Sequence, residues 1–151
     1  MEKIRVAIFG GSGYGGSELL RILLFHPAAD ISLVTANEQA GKFVGDVHQN
    51  LRGLTNLQFS PTPGDLSTLE DIDIAFFALP HGQALSQVKD LPSHLRVIDL
   101  SGDFRIDDAE IFAQYYGLQH AGVETQSQFV YGLSETNREA IRSARYIANP
   151  G

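Results

Sequence analysis

Cysteine is absent from the 151 residues. Within this chain that excludes a disulfide framework, a thiolate-held metal and a cysteine nucleophile, and no metal site is expected. Positive charge is scarce. Eleven Lys and Arg face eighteen Asp and Glu, for a net charge of −7. Such a field repels nucleic acid and anionic membrane surfaces alike, so neither is expected as a partner, and an anionic ligand has to be held by local donors. Long apolar runs are missing too. None approaches the roughly 20 residues a bilayer-spanning helix needs. A strand-like run begins at Ile4 with no secretory signal before it, so a cytoplasmic protein is expected. Internal repeats, low-complexity tracts and linkers are also lacking. The length suits one domain, residues 1–151, with a proper core.

Glycine is plentiful, and it is concentrated. Residues 4–9 (Ile-Arg-Val-Ala-Ile-Phe) are followed by Gly10-Gly11-Ser12-Gly13-Tyr14-Gly15-Gly16 and then by Ser17-Glu18-Leu19-Leu20. Gly11, Gly13 and Gly16 fit G-x-G-x-x-G, and Gly10, Gly13 and Gly16 fit the related G-x-x-G-x-x-G. This spacing lets a chain turn sharply after a strand, bring bare backbone against a pyrophosphate and pack a helix closely on the strand. The start of the following helix adds unpaired N–H groups and a positive dipole end. Three glycines alone are a weak motif. A strand before them and an apolar-faced helix after them make a dinucleotide site the expected reading.

The rest of the chain alternates strand and helix. A helix is expected from residue 13 or 14 to 25, with Leu19, Ile22, Leu23 and Phe25 as its apolar face, ended by His26-Pro27. Strands are expected at 30–35, 57–59, 72–79, 96–100, 128–131 and 146–148. Further helices are expected at 83–89, 110–116 and 136–143, the last capped by Ser134 or Thr136 with Glu139 in support. Residues 43–53, with Asp46, His48 and Arg52, form a short, partly helical stretch that either borders a site or is surface structure, the latter being expected. The alternation defines an α/β fold: a Rossmann-like, doubly wound, mostly parallel sheet. Its ligand edge is the carboxyl end of the strands. Three further groups fall there: Thr35-Ala36-Asn37 with Glu38 and Lys42, Leu79-Pro80-His81, and Ser101 with Asp103 and Arg105. In such units an acid about 20 residues past the loop favours NAD and a nearby cation favours NADP. Glu38 and Lys42 leave that choice open. Asp103 and Arg105 either pair across their turn or hold part of a site. Gly41-Lys42 ends like a phosphate-binding P-loop, but Ala36 stands where its first glycine is required.

Several segments together resemble N-acetyl-gamma-glutamyl-phosphate reductases, relatives of aspartate-semialdehyde dehydrogenase. They are residues 10–21, Ala40-Gly41-Lys42 with His48 and Leu51-Arg52-Gly53, Ala78-Leu79-Pro80-His81-Gly82, residues 97–105, Tyr131-Gly132-Leu133-Ser134-Glu135, and Ile147-Ala148-Asn149-Pro150-Gly151. They span the chain in order. The resemblance implies an enzyme of arginine biosynthesis that reduces an acyl phosphate to a semialdehyde with NADPH, through a cysteine thioester and with phosphate release. It places the cofactor on Gly10, Gly11, Ser12, Gly13, Tyr14, Gly15 and Gly16, the adenosine ribose at Thr35, Ala36 and Asn37, and the nicotinamide along Leu79, Pro80, His81 and Ser101. Arg105 and Glu135 lie toward the substrate. NADP is the implied cofactor and NAD the second choice.

The chain also departs from the family. The nucleophilic cysteine is expected directly after Gly151, and the catalytic second domain is expected beyond it, so these 151 residues alone should be inactive. Gly102 and Ser134 replace the usual alanine and proline. Ala36-Asn37 lacks the serine-arginine pair common after the second strand, which leaves Lys42 as the candidate 2′-phosphate cation. The complete enzyme is expected to be a homo-oligomer. Two other readings share these residues: a related reductase of carrier-linked aminoadipyl or glutamyl phosphate or of aspartyl phosphate, and a non-catalytic nucleotide-sensing module.

Overall fold

The computed structural model describes residues 2–117 and 123–151. Six strands form one parallel sheet: β1 (Ile4–Phe9), β2 (Ala29–Thr35), β3 (Ile74–Phe77), β4 (Arg96–Asp99), β5 (Phe129–Tyr131) and β6 (Tyr146–Ala148), in the order β2-β1-β3-β4-β6-β5. The helices are α1 (Tyr14–Leu23), α2 (Val44–Val47), α3 (Gln83–Val88), α4 (Ala109–Tyr116), α5 (Val123–Gln126) and α6 (Ser134–Ser143).

Side-chain alternation along β1 divides the core. Val6 and Ile8 point to one face, where they pack with Leu20 of α1 and with Ile31, Val34, Val44, Leu51 and Phe59. Ala7 and Phe9 point to the other, against Ala84, Leu85 and Val88 of α3 and Phe112 of α4. Phe9 stacks on Phe77 of β3 at 4.6 Å. Helices on both faces of a parallel sheet are the doubly wound arrangement. The chain leaves β1 for β2 on one side and later returns to place β3 on the other. The connections that leave β1 and β3 at their carboxyl ends therefore run to opposite sides, and the edge between them is where ligands bind in such sheets.

Local differences have physical causes. α1 ends at Leu23, and its apolar face is Gly16, Leu19, Leu20, Leu23 and Leu24; Ile22 and Phe25 are exposed. Ile22 lies about 200° around the helix from Leu20, so one face cannot hold both. Residues 57–59 do not join the sheet. Gln58 makes an isolated bridge with Phe43, and Ser60 just after the run makes one with Thr35, while Phe59 fills the core. α6 starts at Ser134 behind Leu133, with no side-chain cap, and Glu139 pairs with Arg142 at 3.4 Å. Asp108 caps α4 by accepting from the Glu110 and Ile111 N–H groups.

Candidate functional site

The glycine loop bridges β1 and the N-terminus of α1. Its base is fixed by main-chain bonds: the Thr35 carbonyl accepts from Gly10 N–H at 3.1 Å and from Gly11 N–H at 2.8 Å. The sequence placed Thr35 at the ribose. The structure gives its carbonyl this bracing task and buries its side chain.

The glycines divide into two groups. Gly10 has φ +82°, and a Cβ there would collide with the Ala78 carbonyl. A Cβ on Gly11 would strike Val34 and lie 3.1 Å from Phe59, and one on Gly16 would lie 2.6 Å from the Gly10 carbonyl oxygen and the Gly11 Cα. The fold itself demands these three. Gly13 and Gly15 are different. A Cβ on Gly13 would meet nothing nearer than 3.9 Å, and one on Gly15 nothing nearer than 3.8 Å. Gly13 also has an ordinary extended backbone. Internal packing does not account for their bareness, which leaves the loop surface open to close approach.

That surface supplies donors. Ser12, Gly13, Tyr14 and Gly15 are exposed. The first N–H groups of α1, from Tyr14 onward, have no intrahelical acceptor. Ser12 N–H also has no acceptor among the described residues. No acid occupies the first turn of α1, so its positive end is not neutralised locally. The loop fits an anionic pyrophosphate.

Across the crevice, β3 is followed by Leu79-Pro80-His81. His81 Nδ1 accepts from Gly102 N–H at 2.9 Å, which leaves the ring proton on Nε2. The half-exposed ring lies 5.1 Å from that of Tyr116. The β4 exit is tied down by two buried carboxylates. Asp103 accepts from Gly82 N–H at 2.7 Å and Leu85 N–H at 3.3 Å, closing the N-terminus of α3. Asp99 accepts from Ser101 N–H at 3.1 Å and Ser101 Oγ at 2.8 Å, and Ser101 Oγ in turn accepts from Asp103 N–H. Burial pushes the Asp99 carboxyl up to about 6, and the charge of Asp103 adds to this against the opposing Ser101 hydrogen bonds and Arg105. Arg105 donates from Nε to the Asn149 carbonyl at 2.8 Å and from Nη2 to the Leu100 carbonyl at 2.9 Å. The exits of β3, β4 and β6 are thus laced together.

At the β2 exit, Asn37 Oδ1 accepts from Thr62 N–H at 2.8 Å, and Lys42 Nζ donates to Gln39 Oε1 at 2.9 Å. Ala36 is buried. Glu135 is exposed at the start of α6 and accepts from Ser134 Oγ at 3.3 Å. The sequence put His48 in a stretch that could border the site but gave it no role there. Its Nε2 donates to the Gly11 carbonyl at 2.8 Å, a contact across 37 positions that no local pattern announces. Among the described residues no cluster of His, Asp and Glu could hold a metal ion, and no helix is long and apolar enough to cross a membrane.

A parallel doubly wound sheet, a bare glycine loop at its switch point and open donors on the following helix together define a dinucleotide-binding domain. The chain belongs to the family described as "Semialdehyde dehydrogenase, NAD binding domain", whose pattern matches residues 5–144, and so to the nicotinamide-dinucleotide class. It is 48% identical over 149 residues to the N-acetyl-gamma-glutamyl-phosphate reductase of Acinetobacter baumannii (strain AYE), an alignment covering 98% of this chain and 42% of that protein. The reductase of the same name from Marinobacter nauticus is 47% identical, with 98% and 43% covered. That from Neisseria meningitidis serogroup C is 48% identical, with 99% and 43% covered. The chain therefore spans less than half the length of these relatives. Among solved structures, aspartate semialdehyde dehydrogenase with NADP from Candida albicans has the same fold, with a TM-score of 0.58 at 14% identity, covering 98% of this chain and 42% of that one.

Proposed function

We propose that residues 1–151 are the cofactor-binding part of an NADPH-dependent reductase that converts N-acetyl-glutamyl 5-phosphate to N-acetylglutamate 5-semialdehyde with release of phosphate. The observation that carries this reading is the pair Gly13 and Gly15, bare without internal need beside unpaired N–H donors. The acyl group is taken from the names of the relatives.

When bound, the cofactor supplies hydride. This chain's residues bind and orient it. Ser12, Tyr14 and Gly15 offer N–H groups to the pyrophosphate. His81 presents Nε2–H at the carboxyl edge, held there by Gly102. Leu79, Pro80 and Ser101 line the nicotinamide side. Thr35, Ala36 and Asn37 border the ribose, and Lys42 is the cation for a 2′-phosphate, which favours NADP over NAD. Arg105 anchors the β6 exit, directly after which the reactive cysteine is placed, and with Glu135 faces the acyl phosphate. The substrate is a small molecule. The complete protein works as a cytoplasmic homo-oligomer without nucleic acid or membrane.

The test is a chain extended through the cysteine and second domain, assayed for NADPH oxidation with N-acetyl-glutamyl phosphate, aspartyl phosphate and carrier-linked acyl phosphates. Turnover confined to the first supports the assignment. A folded, NADPH-binding protein active only on another acyl phosphate would refute the substrate.

A further inference from the structure

The excursion between β2 and β3 contains a device that the cofactor reading does not use. Residues 37–60 fold back on the glycine loop and are pinned by main-chain bonds: Ala36 N–H to the Ser60 carbonyl at 3.0 Å, Gly41 N–H to Phe59 at 2.7 Å, Phe59 N–H to Lys42 at 2.9 Å and Val44 N–H to Leu57 at 2.8 Å. His48 follows α2, with its N–H on the Val44 carbonyl at 2.8 Å. Its ring stands edge-on to buried Phe59, centroids 5.9 Å apart at 75°. Phe59 is also the ring that a side chain on Gly11 would meet. Gly11 is thus wedged on its Cα side by Val34 and Phe59, while its carbonyl is taken by His48 Nε2 at 2.8 Å.

We propose that His48 is a positioning residue for the dinucleotide: by holding the Gly11 carbonyl it turns the Ser12 N–H away from the excursion and out as an anion donor. The peptide between Gly11 and Ser12 is trans, as are all peptides among the described residues, so its C=O and N–H point in opposite directions. A carbonyl fixed toward His48 therefore fixes the adjoining N–H on the opposite side, at the exposed crest of the loop. The brace has a reason. Two consecutive glycines, Gly10 and Gly11, leave this part of the loop conformationally permissive. A rotated 11–12 peptide would aim a carbonyl oxygen at the phosphates in place of a donor. A carbonyl acceptor requires Nε2 to carry the proton, so the required group is an N–H at the reach of Nε2. A glutamine amide nitrogen offers the same.

The inference deepens the cofactor reading and rests on it for the identity of the ligand. The experiment compares the wild-type chain with His48→Ala and His48→Gln by calorimetric titration with NADPH, with amide NMR of Gly11, Ser12 and Gly13 and melting temperatures recorded in parallel. The expected result is an affinity about tenfold lower in His48→Ala, the scale of one lost hydrogen bond to an oriented donor. Recovery of most of that affinity in His48→Gln is expected whether or not its melting temperature recovers. The Ser12 amide should show altered or broadened resonance in His48→Ala only. Wild-type affinity in His48→Ala, or equal weakening in both variants with an unchanged Ser12 amide, would overturn the proposal. Should the wild-type chain bind no dinucleotide, the cofactor reading fails by itself. The Ser12 resonances then decide the positioning role: perturbation in His48→Ala reversed in His48→Gln supports it, and no perturbation rejects it.

Discussion

Arg105 reaches across the carboxyl edge to Asn149: its Nε–H donates to the Asn149 carbonyl at 2.8 Å while Nη2 holds the Leu100 carbonyl of its own loop at 2.9 Å. One guanidinium therefore ties the exits of β4 and β6, two neighbouring strands separated by some fifty residues of chain. A lysine ammonium lacks the planar fork that meets both carbonyls at once. Arg105→Lys is expected to cost about 1–2 kcal/mol of stability, and Arg105→Met at least as much, read from urea unfolding. Unchanged midpoints in both variants would show that the tie is not required.

The two groups of glycines should separate folding from binding. Gly13→Ala adds a methyl into open space and should leave the melting temperature nearly unchanged, while dinucleotide affinity falls by roughly tenfold or more. Gly16→Ala sets a Cβ 2.6 Å from the Gly10 carbonyl and should destabilise the fold by about 1–3 kcal/mol, the usual scale of overpacking. Calorimetry and thermal unfolding of both variants check this. If Gly13→Ala binds dinucleotide as tightly as wild type, the loop surface is not where the phosphates lie.

Asp99 gives stability a pH dependence of definite sign. Its carboxyl is raised to about 6 by burial, above the roughly 3.9 of an unfolded aspartate. Between those values the native state binds more protons than the unfolded one, so this residue's contribution falls as pH rises from about 4 to 6. The full effect is on the order of 2–3 kcal/mol. Asp99→Asn should flatten the stability profile over that interval, measured by denaturant unfolding at several pH values. An identical profile in the variant would contradict the assignment.

In the proposed function Lys42 is the cation that distinguishes the two nicotinamide dinucleotides. Its ammonium is held by Gln39 at 2.9 Å beside the β2 exit, where Asn37 offers no charge. Lys42→Ala should weaken NADPH binding by roughly fivefold, the scale of one solvent-exposed charge pair, and leave NADH binding unaltered. Parallel titrations with the two dinucleotides measure the difference. An equal effect on both would remove Lys42 from the 2′-phosphate.

The parts of this molecule legible in its sequence are those set by local rules. The apolar run, glycine spacing and helical periodicity of residues 4–24 are contiguous, so β1, the loop and the start of α1 could be read directly, while the end of α1 and the exposure of Ile22 and Phe25 could not. The Pro80-His81 and Ser101 to Arg105 turns were legible because each closes an apolar strand. What escaped depends on distant partners. The placement of β6 between β4 and β5 is decided by pairing across the sheet, including Ile98 with Ile147. The 57–59 run has the inward alternation of a strand, yet it makes only an isolated bridge from Gln58 to Phe43 rather than pairing with a full neighbour. His48 looks like a surface histidine until the excursion folds it onto Gly11. Asp103 and Arg105, close in sequence, turn to main-chain groups on different loops.

The central claim is that the glycine loop is a working dinucleotide site in this chain. Calorimetric titration of the folded 151-residue protein with NADPH and with NADH tests it most directly. Saturable one-to-one binding, tighter for NADPH, is the expected result. A correctly folded sample that takes up neither dinucleotide would contradict it.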